Sequence, residues 1–223
     1  MFEKFDPMST DINLTQESLF VITKLNDLMA RNTSHPLSTH LITALGSDKF
    51  LEITLKAHKI SSIINLHKVY DDGPDALSLT SFLQYVYQHK DKFSRANVIQ
   101  RKMSTANFSK EQAEEFIGDY PGIVDSIRSL ADLKKNLQAK YNTSVRSLRT
   151  ESFAHRLQEA SAPGTTVQVL TELADGALGI YDDVREAYHN GKRFSLLSKP
   201  FRNRRLEESI EKYFGFYGNF SLK

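Results

Sequence analysis

Between positions 121 and 157 the sequence repeats apolar residues at helical spacing over about seven turns. A residue every third or fourth position falls on one stripe of an α-helix. The members of this stripe are Ile123, Ile127, Leu130, Leu133, Leu137, Tyr141, Val145 and Leu148. The pattern predicts one long helix, with Pro121 in its first turn, where proline is tolerated. Such a helix is stable only when its stripe packs against other elements.

Similar patterns predict further helices on both sides of this one. A first helix is expected over about 13–34 and a second over about 37–70, and a third over about 78–93 has Ser78 as its N-cap. Their inward rows are expected to be Leu14, Val21, Leu25 and Leu28, then Leu37, Leu41, Leu45, Ile53, Ala57, Ile60 and Ile64, then Leu79, Phe82, Leu83 and Val86. Residues 94–108 are polar and are expected to be irregular.

Two capping signals place the remaining helices. Ser109 and Gln112 form the pattern of a capping box, which predicts a short helix. Thr165 or Thr166 is expected to cap a helix over about 167–189. No segment alternates apolar and polar residues as a strand does. The predicted fold is therefore all-α: an antiparallel bundle of four or five long helices over 1–190, with a basic and aromatic C-terminal extension over 191–223.

Composition excludes several classes of protein. Apolar residues make up 40 % and charged residues 25 % of the chain, which is ordinary for a globular domain and not for a disordered one. The chain has no cysteine, which excludes disulfides, thiolate zinc sites and cysteine nucleophiles. The apolar runs are too short to span a membrane, and the first residues do not resemble a signal peptide. A cytoplasmic protein is expected, and the net charge of +2 neither requires nor forbids a nucleic-acid partner.

Common cofactor motifs are absent from the sequence. It lacks a phosphate-binding loop, a dinucleotide fingerprint, a zinc-protease motif and a nucleophile elbow. We therefore expect neither a cofactor nor a metal. Asp71, Asp72 and Asp75 leave one alternative open. They suit either a divalent cation or an exposed acidic turn before a helix N-terminus.

The stretch from Arg149 to His155 carries the residues best suited to chemistry. Histidine can act as a base or an acid at neutral pH, and arginine offers a charged donor fork to phosphate oxygens. RNA supplies its own nucleophile, the 2′-hydroxyl, so this pair of residue types suits cleavage without a metal. The polar residues Thr150, Glu151 and Ser152 lie between them.

The string Leu148-Arg-Thr-Glu-Ser-Phe-Ala-His155 resembles the HEPN superfamily of ribonucleases, in particular its AbiU-like abortive-infection branch. The upstream string His67-Lys-Val-Tyr-Asp-Asp-Gly-Pro-Asp-Ala-Leu-Ser-Leu79 is similar to the same branch, so the resemblance covers about 10–190. Thr150 departs from the asparagine usual in the family and changes the hydrogen-bond donors there.

The resemblance implies a metal-independent endoribonuclease that serves as a toxin or phage-defence effector. Arg149 and His155 would be catalytic, with Thr150, Glu151 and Ser152 in support. Its implied partners are an RNA substrate, a second copy of the chain, and an antitoxin or regulatory protein. The alternative is a HEPN-like binding or regulatory module without catalysis. Arg149 would then be a solvated helix residue and His155 a helix C-cap.

Helical geometry separates the two catalytic candidates. On a continuous helix, residues six apart lie about 240° apart around the axis. Arg149 and His155 would therefore not share a face, whereas Glu151 and Ser152 would lie one turn back on the face of His155. Either the helix unwinds near Ser152, or two chains share the site. The family resemblance implies the second arrangement, in which Glu151 orients the imidazole.

Further basic residues are candidates for RNA contact. Arg146 and Arg156 flank the pair, and the extension interleaves basic residues with Phe194 and Phe201, a mixture that suits single-stranded nucleic acid. The basic residues of the extension are Lys192, Arg193, Lys199, Arg202, Arg204 and Arg205. All of them are also compatible with an ordinary solvated surface. His58 and His67 are expected to be satisfied histidines of the bundle, and Tyr141 to be a packing residue.

Overall fold

The computed structural model describes residues 2–31, 49–148 and 165–191 of the chain, and in these ranges the regular structure is helical throughout. Short 3₁₀ turns lie at Glu3–Phe5 and Lys90–Phe93. The α-helices are α1 (Asp6–Arg31), α2 (Lys49–Val69), α3 (Leu79–Gln88), α4 (Arg95–Ala106), α5 (Lys110–Ile117), α6 (Val124–Ser144) and α7 (Val167–Asn190). The prediction of an all-α protein is confirmed. None of these described helices combines the length and the apolar character that crossing a bilayer demands.

The four long helices α1, α2, α6 and α7 pack as antiparallel neighbours. Lys68 near the end of α2 pairs with Asp11 near the start of α1, at 2.9 Å. Gln16 of α1 donates to Asp175 of α7 at 2.8 Å, while the ring of Phe2 lies 5.2 Å from that of Tyr188. These contacts show that α1 runs antiparallel to both α2 and α7. The shorter helices α4 and α5 pack together, and α4 also packs against α7.

Antiparallel packing also joins α2 and α6 to the rest of the bundle. His67 of α2 meets Tyr141 of α6, and Lys134, two turns earlier on α6, meets Asp72 just beyond α2. Between α6 and α7, Lys140 pairs with Glu172. The apolar side chains between these helices form one core, which includes Leu66, Leu79, Phe82, Leu137, Tyr141, Leu170, Leu173 and Val184.

The predicted inward rows of the first two helices are wrong at several positions. Leu14 is 45 % exposed and Ile53 is 63 % exposed. Leu25 of the predicted row is buried as expected. The other core residues are Ile12, Leu19 and Ile22 on α1, Ile63, Leu66 and Val69 on α2, and Tyr70 directly after α2. Each helix has apolar residues on two sides, and the packing of α1 and α2 against each other and against α7 buries one of them. Leu37, Leu41 and Leu45 lie outside the described residues.

Some helix boundaries also differ from the prediction. Helix α1 starts at Asp6 rather than near residue 13, because Pro7 suits a first turn and the Asp6 carboxylate favours a helix N-terminus. Residues 95–106 form helix α4 and not an irregular segment. Ser94 caps it by accepting the N–H of Asn97 at 3.4 Å. Only Val98 and Ile99 of α4 are buried, so its apolar period is too short to recognise in the sequence.

Three predicted helix starts are confirmed. Helix α3 begins after Ser78. The capping box of α5 is present: Ser109 Oγ accepts the Gln112 N–H at 3.2 Å, and Gln112 Oε1 accepts the Ser109 N–H at 2.9 Å. At α7, Thr166 is the N-cap and accepts the Val169 N–H at 3.2 Å.

Candidate functional site

Most residues proposed for chemistry lie outside the described residues. This holds for the catalytic pair Arg149 and His155, for the supporting residues Thr150, Glu151 and Ser152, and for the RNA-contact candidates Arg156, Lys192, Arg193, Arg202, Arg204 and Arg205. Arg146 is described, and it is exposed. Among the described residues, Arg146 and the residues that flank 149–164 therefore show the surroundings of the proposed site.

Helix α6 ends earlier than its apolar stripe. The prediction of one continuous helix from 121 is wrong at its start, because Pro121 and Gly122 precede the helix, and it is wrong at Val145, where the helix is interrupted after Ser144. Residues 146–148 are helical again, and the predicted part from 149 to 157 lies outside the described residues. Val145 departs from helical geometry, with φ −123° and ψ −37°. Asn142, Thr143, Ser144 and Val145 are four consecutive residues of modest helix propensity, which favours an interruption here.

The chain nevertheless stays attached to the core after this interruption. The Leu148 N–H donates to the Val145 carbonyl at 3.1 Å. Val145 and Leu148 are both buried, so the last two members of the predicted stripe are core residues although α6 has ended. Arg146 lies between them and points to solvent. Leu148 fixes the chain immediately before Arg149.

The other end of the segment 149–164 is held at the same place. The Thr165 hydroxyl donates to the Ser144 carbonyl, which the interruption of α6 leaves available. The next residue, Thr166, caps α7. Leu148, the last described residue before this segment, and Thr165, the first described residue after it, thus both lie beside the end of α6. Both anchors lie at one end of the α6–α7 pair.

A histidine and a tyrosine pair on the neighbouring face. Nδ1 of His67 lies 2.5 Å from the hydroxyl of Tyr141, which is 2 % exposed, and His67 itself is half-buried. The Tyr141 ring stacks on that of Tyr70, with centroids 5.3 Å apart and planes 11° apart. The sequence predicted that His67 is a hydrogen-bonded histidine of the bundle and that Tyr141 is a packing residue, and both predictions are confirmed. The bond between them was missed, because 74 positions separate the two residues.

Tyr70 extends this contact into the interior. Its hydroxyl donates to the Leu173 carbonyl of α7 at 2.8 Å, and its own carbonyl accepts from Gln138 Nε2 at 3.0 Å. Burial raises the pKa of Tyr70 well above its usual value, so the phenol stays neutral and remains a donor. The two hydrogen bonds of Tyr70 thus connect the end of α2 to α6 and α7, close to the end of α6.

The acidic turn after α2 is engaged by other side chains. Asp72 accepts from Thr80 at 2.8 Å and from Lys134 at 3.3 Å, and Asp71 accepts the Gly73 N–H at 3.0 Å. Partial burial raises the pKa of Asp72, but the bonds from Thr80 and Lys134 and the charges of Lys134 and Arg146 outweigh it and hold that pKa below the usual value. These contacts fit the interpretation as an acidic turn tied to α6.

A cavity that no sequence motif indicated lies near the end of α7. It measures about 490 Å³, and its described wall consists of Asp182, Arg185, Glu186 and His189. Partial burial lowers the pKa of His189, although the side chain remains exposed, and the charges of Arg185 and Arg101 lower it further. This cavity and the Thr165 anchor lie at opposite ends of α7.

Beyond the cavity, the exit of the C-terminal extension is fixed by Gly191. This residue adopts φ +60°, and a Cβ there would lie 3.1 Å from Ile117 and 3.2 Å from the Tyr120 ring. The extension therefore begins beside α5.

Comparison with known proteins adds no assignment. The chain matches no protein-family model, and no curated protein or solved structure is significantly similar to it.

Proposed function

We propose that this chain is a metal-independent endoribonuclease of the HEPN type, acting as a toxin or phage-defence effector. Arg149 and His155 would cleave RNA, with Thr150, Glu151 and Ser152 in support. The resemblance of the Leu148–His155 string to that superfamily is the origin of the proposal. The all-helical fold is compatible with it.

One structural observation supports the proposal most directly: the anchoring of both ends of the segment 149–164. Leu148 is buried in the core, and the Thr165 hydroxyl bonds to the Ser144 carbonyl at the end of α6. A catalytic segment needs its ends fixed on rigid elements, because small displacements of reacting groups cost large factors in rate.

The chemistry follows from the residue types. The imidazole of His155 would remove the proton of a ribose 2′-hydroxyl, and the resulting imidazolium would deliver that proton to the departing 5′-oxygen. The 2′-oxygen would form a new bond to phosphorus while the bond from phosphorus to the 5′-oxygen breaks. The guanidinium of Arg149 would bind the non-bridging oxygens as their negative charge develops. The products would be a 2′,3′-cyclic phosphate and a free 5′-hydroxyl.

Two copies of the chain would share the site in this proposal. The family resemblance implies a composite arrangement, in which one chain supplies the arginine and the other the histidine, because the two residues would not share a face of one continuous helix. Arg146, exposed beside the site, would bind a flanking phosphate. The extension, with Lys192, Arg193, Arg202, Arg204 and Arg205, would add further contacts to RNA. An antitoxin or regulatory protein would restrain the activity in the cell.

An induction experiment tests the proposal. The wild type, His155→Ala and the control His189→Ala are induced in a bacterial host, and growth and RNA integrity are followed. His189 is exposed and lies at the far end of α7, so its substitution controls for loss of a histidine. We expect arrested growth and degraded RNA for the wild type and the control only. Intact RNA with all three chains would favour the non-catalytic binding module instead.

A further inference from the structure

The point at which the C-terminal extension leaves the bundle lies beside α5. Gly191 ends α7, and a Cβ at this residue would lie 3.1 Å from Ile117 near the end of α5. Asn190, the preceding residue, accepts a hydrogen bond from Nζ of Lys102 on α4 at 2.5 Å. The same Nζ lies 4.7 Å from the ring centre of Phe116 on α5. A single side chain therefore connects Phe116 to the start of the extension.

Phe116 presents an aromatic surface next to this exit. It is 37 % exposed, and its ring packs edge-on against that of Phe108, with centroids 5.8 Å apart and planes 78° apart. Aromatic rings also favour such contacts with further rings. Phe194, the first aromatic residue of the extension, follows Gly191 by three positions. Because three residues span at most about 11 Å, an aromatic partner for Phe116 is available within the same chain.

The outward side of α5 is acidic. Glu111 and Glu115 lie one turn apart, on the side of the helix opposite to its two buried residues. Asp119, exposed just after the helix, adds a third carboxylate. Residues 110–119 contain four carboxylates and one lysine, and so carry a net charge of −3. Among the described residues, neither Glu115 nor Asp119 has a partner in a salt bridge.

Three cations of α4 lie near this surface, and each binds another group. Arg95 donates from Nε to the carbonyl of Gly118 at 2.9 Å. Arg101 and Lys102 donate to the last residues of α7, the first to a backbone carbonyl and the second to a side-chain oxygen. These contacts hold the three cations at the end of α5 and against α7, away from the outward carboxylates.

The first part of the extension has the opposite charge. Residues 192–205 contain six basic side chains and no acidic one. The basic residues are Lys192, Arg193, Lys199, Arg202, Arg204 and Arg205. A helix of the length of α5 measures about 12 Å, and about four extended residues cover that distance. The basic residues can therefore reach the carboxylates of α5 from Gly191.

We propose that residues 192–205 dock along the outward side of α5 in the same chain, with Phe194 against Phe116 and basic side chains beside Glu115 and Asp119. The covalent connection at Gly191 keeps this segment at a high effective concentration near α5, which favours it over a separate partner.

Docking would have a regulatory consequence. The basic residues of this segment are the same ones that we propose to contact RNA. The carboxylates of α5 would withhold them until the phosphates of an RNA compete successfully, so the docked extension would be autoinhibitory. This consequence rests on the proposed function, whereas the docking itself does not.

Limited proteolysis of the full chain tests the docking. Trypsin cleaves after lysine and arginine, so it reports on the extension through its basic residues and on the segment 149–164 through Arg149 and Arg156. Cleavage in that segment, whose anchors lie at the other end of α7, serves as the internal reference. We expect the ratio of extension cleavage to reference cleavage to rise about three- to tenfold in the double variant Glu115→Gln, Asp119→Asn, because each exposed charge pair contributes little by itself.

The double variant Glu52→Gln, Asp75→Asn is the matched control. Both residues are exposed and lie outside α4 and α5, and the control removes the same two charges. We expect its cleavage ratio and the melting temperatures of both double variants to equal those of the wild type. No rise in the α5 variant, an equal rise in the control, or a rise explained by early melting would overturn the proposal.

Two other positions of the extension would give different results. Asp182→Asn alters the cavity on α7, and a raised ratio in this variant alone would indicate that the extension lies along α7 and not on α5. Protection of the extension that grows with protein concentration would indicate that one copy binds the extension of another. Either result would contradict docking on α5 within one chain.

RNA binding distinguishes this inference from the proposed function. The wild type and both double variants, each carrying His155→Ala to prevent cleavage, are titrated into labelled single-stranded oligouridine, and fluorescence anisotropy is measured. The α5 variant should bind about three- to tenfold more tightly than the control, because its extension is released. Absence of binding by every chain would refute the proposed function, and the docking would still be decided by proteolysis. Equal binding by the α5 variant and the control would refute autoinhibition without contradicting the ribonuclease.

Discussion

The hydroxyl of Tyr141 lies 2.5 Å from Nδ1 of His67, and this contact ties α6 to α2 one turn before α6 ends. Tyr141 is buried, so in the folded protein its hydroxyl hydrogen-bonds to the imidazole nitrogen of His67 instead of to water. Breaking one side of such a pair costs more than the net gain from making it, because the remaining group stays desolvated.

Tyr141→Phe should therefore destabilise the protein while it preserves ring stacking on Tyr70. We expect a loss of about 1–3 kcal/mol in the free energy of unfolding. Urea titration measures it, with Tyr87→Phe as control, because Tyr87 is 56 % exposed. Equal stability of the two variants would mean that the bond to His67 contributes nothing.

The turn after α2 should make stability depend on pH through Asp72. Its pKa is lower in the folded protein than its ordinary value of 3.8, so the unfolded chain binds protons more readily at that position. The stabilisation is present above that ordinary value and is lost as the pH falls through the lower, folded pKa. Because the carboxylate is 51 % exposed, solvent screening limits its contribution to about 1 kcal/mol or less.

Asp72→Asn should consequently be less stable than the wild type at about pH 7, and the difference should shrink toward about pH 3. Asp75→Asn is the control, since Asp75 is an exposed carboxylate of the same turn without a salt bridge to the described residues. Free energies of unfolding at several pH values check this. A difference that does not change with pH would show that the Asp72 charge is not the cause.

Local capping signals in the sequence predicted three of the helix starts correctly. Ser109 with Gln112, and Thr166, cap helices as expected, because capping depends on residues three positions apart. The interruption at Val145 was missed although three weak helix formers precede it, because Val145 and Leu148 continue the apolar period across the break. The chain is helical again at 146–148, and both side chains are buried, so the apolar period does not reveal the break.

Periodicity could not decide which side of α2 faces inward. Ile53 and Ile64 fit a helical period as well as Ile63 and Leu66 do, and packing against α1 and α7 buries the second pair. The contact of His67 with Tyr141 could not be predicted either, since it depends on the register of two helices far apart in the chain. The catalytic role of Arg149 and His155 remains a prediction.

RNA cleavage should not require a divalent metal ion. The proposed nucleophile is the 2′-hydroxyl, and the proposed charges come from Arg149 and His155. Cleavage should survive EDTA and leave 2′,3′-cyclic phosphate ends, detectable by mass spectrometry of the fragments. Arg149→Ala or His155→Ala should each reduce the rate by at least about 100-fold. A strict requirement for magnesium or manganese would contradict this mechanism.

Substitutions at Thr165 and Thr166 can distinguish the effect of anchoring the segment 149–164 from the effect of stabilising α7. The Thr165 hydroxyl bonds to the Ser144 carbonyl, whereas the Thr166 hydroxyl caps α7 through the Val169 N–H. Thr166→Ala should cost about 1 kcal/mol of stability, as loss of a helix N-cap typically does. Thr165→Val keeps the shape of the side chain and removes the bond to Ser144.

If anchoring positions the catalytic residues, Thr165→Val should lower the rate of RNA cleavage more than Thr166→Ala does, at a temperature where both variants are fully folded. Urea titration and cleavage of one fluorescent RNA measure the two effects on the same samples. Cleavage that follows stability alone, with Thr166→Ala the slower enzyme, would show that the Thr165 bond only supports the fold. Slower cleavage by Thr165→Val at unchanged stability would connect the end of α6 to the chemistry, since a loosened segment presents its reacting groups less often in the productive geometry.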